Sequence, residues 1–160
     1  MDINSPPNIT VFDIADWFLA KANDESKDLK LLKLHRLVYF AYGWYCAFHD
    51  DPPLFKEDFY AWRLGIIVKD LHERYKHCGS SPIIVSSLKC PDFDENVTEV
   101  LKSVWKAYSP YSEYTLHRAI RNHSSWRKAQ RSFELEFAIL PETIRETFRE
   151  LMARNAHAGK

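Results

Sequence analysis

The side chains of this 160-residue sequence best suited to holding a metal or attacking a substrate are His72, His77, Cys46, Cys78 and Cys90. Thiolate and imidazole are zinc ligands, but His72 and His77 stand five residues apart and diverge on a helix, and the cysteine spacings match no zinc pattern. Cys46 would be the thiol nucleophile. It falls among apolar residues, where burial disfavours the thiolate. Asp50 with Asp51, and Glu57 with Asp58, offer carboxylates for acid–base work, yet adjacent side chains do not by themselves converge on one substrate atom. No glycine-rich phosphate loop of Walker or Rossmann spacing occurs. The sequence is therefore read as that of a non-enzyme, with no catalytic residue, metal or cofactor.

Two other features could serve binding. From His117 to Arg131 the chain carries Arg118, Arg121, Arg127, Lys128 and Arg131, with no acidic residue between Glu113 and Glu134. Such a patch suits nucleic-acid phosphate, the acidic surface of a protein partner, or plain solvent. A second basic strip, Lys27, Lys30, Lys33 and Arg36, reads as the wet side of a helix. The aromatic residues are also more numerous than a small helical core needs, among them Trp44, Trp62, Trp105, Trp126 and Tyr60. Most are expected in the core, and rings near Tyr60 and Trp62 left exposed would anchor a protein partner.

The elements that position these residues follow from periodicity. Leu31, Leu34, Val38, Ala41, Tyr45 and Phe48 recur at three- and four-residue steps, which predicts an apolar helix from about Leu29 to Phe48, roughly 30 Å long, capped by Asp28. Gly43 inside it costs about 1 kcal/mol relative to Ala, so close approach of a ring or backbone is expected there. Thr10 and Asp13 have capping-box spacing ahead of a first helix ending near Asn23. Pro52 and Pro53 stop the long helix. Leu54 to Trp62 then reads as a packed aromatic loop, with at most one short strand or extended segment, and Gly65 permits a turn.

A helix through Val68, Leu71, His72 and Tyr75 follows, with Gly79 as its left-handed cap. Further helices start after Asp92 or Asp94, after Ser112 and at Pro141, with a break at His123–Trp126. The expected fold is all-α: a compact single domain around a long central helix. Residues 1–9 form an N-terminal arm, 10–154 the domain and 155–160 a tail.

Composition sets outer limits. Hydrophobic residues are 46 % and charged residues 28 %, the balance of a globular protein, and no apolar run reaches membrane-spanning length. The 22 basic and 22 acidic side chains cancel, which argues against a general electrostatic grip on nucleic acid. Met1 to Thr10 resembles neither a secretory signal nor a transit peptide, and unpaired cysteines suit a reducing compartment, so the cytoplasm is expected.

Several stretches together resemble the Panacea domain, the SocA-like antitoxin family: KLHRLVYFAYGWYCAF at Lys33–Phe48, PLFKEDFYAWRLG at Pro53–Gly65, YKHCGSSPI at Tyr75–Ile83, and VWKAYSPYSEYTLHRAIRNHSSWRKA at Val104–Ala129. The chain departs from the family pattern at His35 and Arg36, where glutamine and lysine are usual, and at Ile66, where proline is usual. It departs again at Asn122, where threonine precedes the histidine.

The resemblance implies a small helical antitoxin, often encoded beside its toxin or in a prophage, that neutralises a cognate protein toxin by direct contact. A protease adaptor that delivers the toxin for degradation is the alternative within the family. A nucleic-acid regulator using residues 118–131 is the alternative outside it. On the antitoxin reading the partner-binding residues are Trp44, Tyr60, Trp62, Arg63, Gly65, His123 and Trp126.

Overall fold

The computed structural model describes residues 8–49, 52–132 and 136–158. Residues 1–7 of the expected arm, Asp50 and Asp51, Glu134 and the last two residues lie outside them. Helix α1 (Val11–Asp24) begins with the expected capping box: Thr10 accepts from the Asp13 N–H while the Asp13 carboxylate accepts from the Thr10 N–H at 2.9 Å. It ends in a Schellman arrangement, in which the Lys27 N–H donates to the Ala22 carbonyl at 2.8 Å and the Ser26 N–H to Asn23 at 3.1 Å. Ser26 takes the left-handed position, at φ 53°.

Helix α2 (Leu31–Phe48) is buried nearly all round, and it packs against α1, α4, α5, α7 and the sheet. Lys30 is its N-cap and makes no side-chain bond to the helix end, so the expected Asp28 cap is not formed. A Cβ on Gly43 would coincide with the Phe148 ring of the last helix, which is why a glycine sits mid-helix. The anticipated ring is there.

The segment after α2 departs from the all-α expectation. Strands β1 (Phe59–Trp62) and β2 (Gly65–Val68) form an antiparallel hairpin, and β3 (Ala138–Ile139) pairs with β1 on its other side, giving the order β2-β1-β3. The register places Phe59 opposite both Val68 and Ile139. Only β1 alternates between buried and half-buried positions; β2 is buried throughout. Val68, expected in the next helix, ends β2 instead and serves as the N-cap of α3 (Lys69–Tyr75). A 3-10 turn at Lys76–Cys78 follows, and Gly79 closes it at φ 56° and ψ −127°, outside the left-handed helical basin expected for it.

The remainder is helical: α4 (Glu95–Tyr108), α5 (Glu113–Arg121), α6 (Ser124–Gln130) and α7 (Pro141–Ala158). Asp94 and Ser112 cap α4 and α5 by accepting from the N–H groups of Val97 at 3.0 Å and Thr115 at 3.1 Å. Helix α7 continues through Ala158, into the stretch expected to be a tail. At 18 residues it equals α2, so the long helix of the sequence has a counterpart of the same length. The fold is mostly helical, with one small sheet. No helix of the described residues is long and apolar enough to cross a membrane.

Candidate functional site

The β1–β2 hairpin turns through two residues, Arg63 and Leu64, between the paired Trp62 and Gly65. The usual two-residue hairpin loops carry a positive φ inside the loop. Here Gly65, at φ 119°, supplies it just after the loop. Space also demands glycine, since a Cβ would lie 2.8 Å from Arg36 Nη2 and 3.2 Å from His117 Nδ1. The hairpin thus closes onto α2 and α5 at a single point.

Arg36 occupies that point and is only 4 % exposed. Its Nη1 donates to the Glu113 carbonyl at the start of α5, and its Nη2 donates to the Leu64 carbonyl in the hairpin loop at 3.0 Å. Burial draws its pKa down and Glu113 raises it, and a guanidinium starts so high that it stays charged. Its Nε has no partner among the described residues. Of the basic strip expected on the wet side of α2, Lys27 and Lys30 are exposed, while Arg36 is buried and Lys33 half-buried. Arg36 turns inward because two backbone carbonyls await it, and Lys33 reaches the Ser109 carbonyl at 2.7 Å.

His35, wholly buried, accepts from the Val68 N–H at Nδ1 over 3.2 Å, which places its proton on Nε2. Its ring stacks on His72 at 6.0 Å, and His72 stands edge-on to Trp62 at 6.1 Å. Burial first, then His72 and Arg36, push its pKa down to about 3, so the ring is neutral.

Between the hairpin and α5–α6 lies an open cleft of about 900 Å³. Trp62 and Arg63 line it from the hairpin, His117 and Arg121 from α5, Trp126 and Gln130 from α6, and Glu136 and Phe137 from the approach to β3. Trp126 stands edge-to-face on His117 at 5.5 Å, and Gln130 donates to the Ala61 carbonyl at 2.9 Å, which fixes α6 to β1. Lys69 lies over the Tyr60 ring at 4.0 Å and pairs with Glu136 at 3.1 Å, so the one carboxylate of the lining among the described residues is already answered. Arg63 and Arg121 are exposed and have no ion pair among the described residues. Burial, then Arg36 and Arg121, lower the pKa of His117, whose Nδ1 also lacks a partner there.

Of the residues singled out in the sequence, Trp62, Arg63, Arg121 and Trp126 thus meet in one place, with Gly65 against His117 at its edge. Tyr60 lies beside Trp62, ring to ring at 6.3 Å, but does not line the cleft. Trp44 belongs to a different face. Its Nε1 donates to the Tyr108 hydroxyl at 2.8 Å, and with the exposed Phe48 it borders a groove of about 610 Å³ between α2, α4 and α7.

His123 is a core residue and not a contact residue. It shares a 2.8 Å hydrogen bond with the Tyr39 hydroxyl, which also bonds Ser125 Oγ at 3.0 Å. Burial first, then Arg127 and Arg154, bring its pKa down to about 4.

The basic run 118–131 is divided in space. All five of Arg118, Arg121, Arg127, Lys128 and Arg131 are exposed, but Arg121 faces the cleft while Lys128 pairs with Glu146 of α7 at 3.5 Å. His117, Gln130, Glu136, Phe137 and Arg36 complete the site and were not singled out as site residues in the sequence. His117 opens the basic run and could have been noticed on that ground. The others carry no local signal.

The zinc candidates do not form one cluster: Cys90 is exposed in the connector and His72 stacks on His35, while the neighbours His77 and Cys78 meet each other at 3.6 Å; Cys46, the candidate nucleophile, is buried in α2. Among the described residues no three His, Cys, Asp or Glu side chains converge as metal ligands. No family model, no curated protein and no solved structure matches the chain.

Proposed function

We propose that this chain is a helical antitoxin of the Panacea, SocA-like kind, which neutralises a protein toxin by covering it with the hairpin and the cleft beside it. One observation carries the reading. Two exposed arginines without ion pairs among the described residues and a half-buried tryptophan, Trp62, drawn from the hairpin and from α5 far apart in sequence, border one open cleft, with the buried Trp126 in its floor. Aromatic residues and arginine are the types enriched at protein interfaces and at their energetic centres. The stretches that carry the resemblance supply most of α2, β1 with the hairpin loop, the end of α4, α5 and most of α6, and of these β1, the loop, α5 and α6 line the cleft. Antitoxin action of this kind needs no catalytic group in the chain itself.

The test is co-expression with the neighbouring open reading frame, followed by co-purification. Growth rescue with a stable complex is expected. Trp62→Ala should fold and bind at least about thirtyfold more weakly, the loss that an interface hot spot of about 2 kcal/mol produces. A neighbour harmless on its own would remove the antitoxin reading. A partner whose level falls only when a protease is present would replace occlusion with the adaptor role. Rescue undiminished by Trp62→Ala would place the interface elsewhere. The nucleic-acid reading needs a continuous basic track, and the division of residues 118–131 between two faces disfavours it.

A further inference from the structure

We infer that the cleft between the β1–β2 hairpin and α5–α6 is a receptor for a carboxylate side chain on an acidic segment of a protein partner, clasped between Arg63 and Arg121. This deepens the reading of the chain as a protein-binding module and rests on it. The charge balance around the cleft is the first ground. Among the described residues Arg63 and Arg121 stand on its rim without ion pairs, and Glu136, the one acidic side chain of the described lining, is held by Lys69. Arg36 lies just behind Gly65, buried and hydrogen-bonded to two carbonyls, with the Glu113 carboxylate near enough to act on it but forming no ion pair among the described residues. A buried charge is screened far less than an exposed one, so its field reaches the cleft. The chain as a whole is neutral, yet among the described residues at this corner Arg36, Arg63, Lys69 and Arg121 outnumber Glu113 and Glu136.

Unsatisfied donors and acceptors are the second ground. His117 lines the cleft, and its buried Nδ1 has no partner among the described residues; the same is true of Arg36 Nε. Buried polar atoms left this way are uncommon in folded proteins and point to a missing partner or water.

The walls decide which anion fits. Trp62, half-buried at the rim, supplies apolar surface against which the aliphatic stem of an Asp or Glu can pack, and the buried Trp126 backs His117 edge to face. The planar guanidinium fork matches a carboxylate with two parallel N–H···O bonds. A polyanion fits less well. Glu136 remains on the rim, and of the basic run only Arg121 lines the cleft while Lys128 pairs with Glu146 of α7, so the described residues of the run do not line the cleft as a continuous track for a phosphate backbone.

The probe is hexaglutamate, acetylated and amidated at its ends, titrated into the full chain by calorimetry at about 20 mM and about 150 mM salt, with hexalysine as the control. Saturable binding of hexaglutamate, weaker at the higher salt, is expected, with none of hexalysine. Arg63→Gln and Arg121→Gln should each weaken it about tenfold, while Lys106→Gln, on α4 away from the cleft, should leave it unchanged. Both arginines are exposed, so these variants should keep the wild-type circular dichroism and thermal transition.

Absence of binding at the lower salt, or binding indifferent to both arginine variants, would overturn the inference. So would inorganic phosphate or a short single-stranded oligonucleotide displacing the peptide at equal concentration, since the site would then be a phosphate site. The two readings separate cleanly. Arginine-dependent peptide binding without toxin neutralisation upholds the receptor and removes the antitoxin role; neutralisation without peptide binding does the reverse.

Discussion

Lowering the pH from 7 to 5 will destabilise this fold through two buried imidazoles. His35 titrates down near 3 and His123 near 4, in both cases mainly because burial penalises the charged ring, with neighbouring cations adding to it. An unfolded histidine titrates near 6.5, so between these values the unfolded chain binds protons that the folded chain refuses. The stabilisation is complete well above about pH 6.5 and drains away as the pH falls toward 4 and then 3. Between pH 7 and pH 5 an unfolded histidine gains protons over an effective span of about 1.4 pH units, or about 2 kcal/mol. Two such rings give about 4 kcal/mol, against a typical domain stability of about 5–15 kcal/mol.

His117 acts in the same direction. Glu25 and Glu73, whose pKa values are lowered, lose their contribution only as the pH passes below the ordinary carboxylate range, and Asp16, raised by burial, acts in the opposite sense. The assay is urea unfolding followed by tryptophan emission at the two pH values and one ionic strength. A loss smaller than about 1 kcal/mol, or a His35 ring signal with an NMR titration midpoint near 6, would refute the assignment of neutral buried rings. His35→Gln should remove about half of the pH dependence, whatever it does to stability at pH 7.

Other substitutions test the packing. Gly43→Ala drives a methyl group into the Phe148 ring and should cost about 1–3 kcal/mol by thermal melting, with part of the loss recovered in the Gly43→Ala, Phe148→Leu double variant. Ser26→Gly relieves the positive φ that ends α1 and should raise stability by about 0.5–1 kcal/mol, read as a higher denaturation midpoint at unchanged slope. Gly65→Ala meets both a forbidden φ and the Arg36 guanidinium, so it should loosen the hairpin, seen as lost amide protection at Ile66 to Val68. Trp105→Phe deletes the 2.7 Å bond from its Nε1 to the Glu25 carboxylate and should cost about 1 kcal/mol.

The helices were legible where the sequence carries a period or a cap. Thr10, Asp94, Ser112 and Pro141 mark starts that the structure keeps, and the stripe from Leu31 to Phe48 gives α2 almost to the residue. The sheet was only partly legible. Two of its strands are four residues long and the third is two, β2 shows no alternation, and β3 meets β1 from the far end of the chain. Asp28 has the right side chain for a cap, yet the helix starts two residues later than it could serve.

Of the candidate site, ring and charge types pointed to Trp62, Arg63, Arg121 and Trp126, because aromatics and cations without local carboxylates stand out in a sequence. Arg36 and His35 were hidden for the opposite reason. Periodicity assigns a charged or polar residue to the solvent side, and their partners, the Glu113 and Leu64 carbonyls and the Val68 N–H, are backbone groups that leave no trace in residue type.

Helix α2 bonds the second half of the chain in order. Lys33 takes Ser109, Arg36 takes Glu113, and Tyr39 takes His123 and Ser125, each pair between 76 and 86 residues apart. Successive turns of one helix therefore act as rungs on which the later segments are set down in sequence. If the first of these contacts closes the long loop, the next two need only short searches, which predicts that assembly requires one long closure. Loop closure grows only logarithmically with length, about 0.6 kcal/mol for each doubling. Extra residues spliced at the exposed Ser86–Ser87 turn, inside that loop, should leave both folding rate and stability almost unchanged.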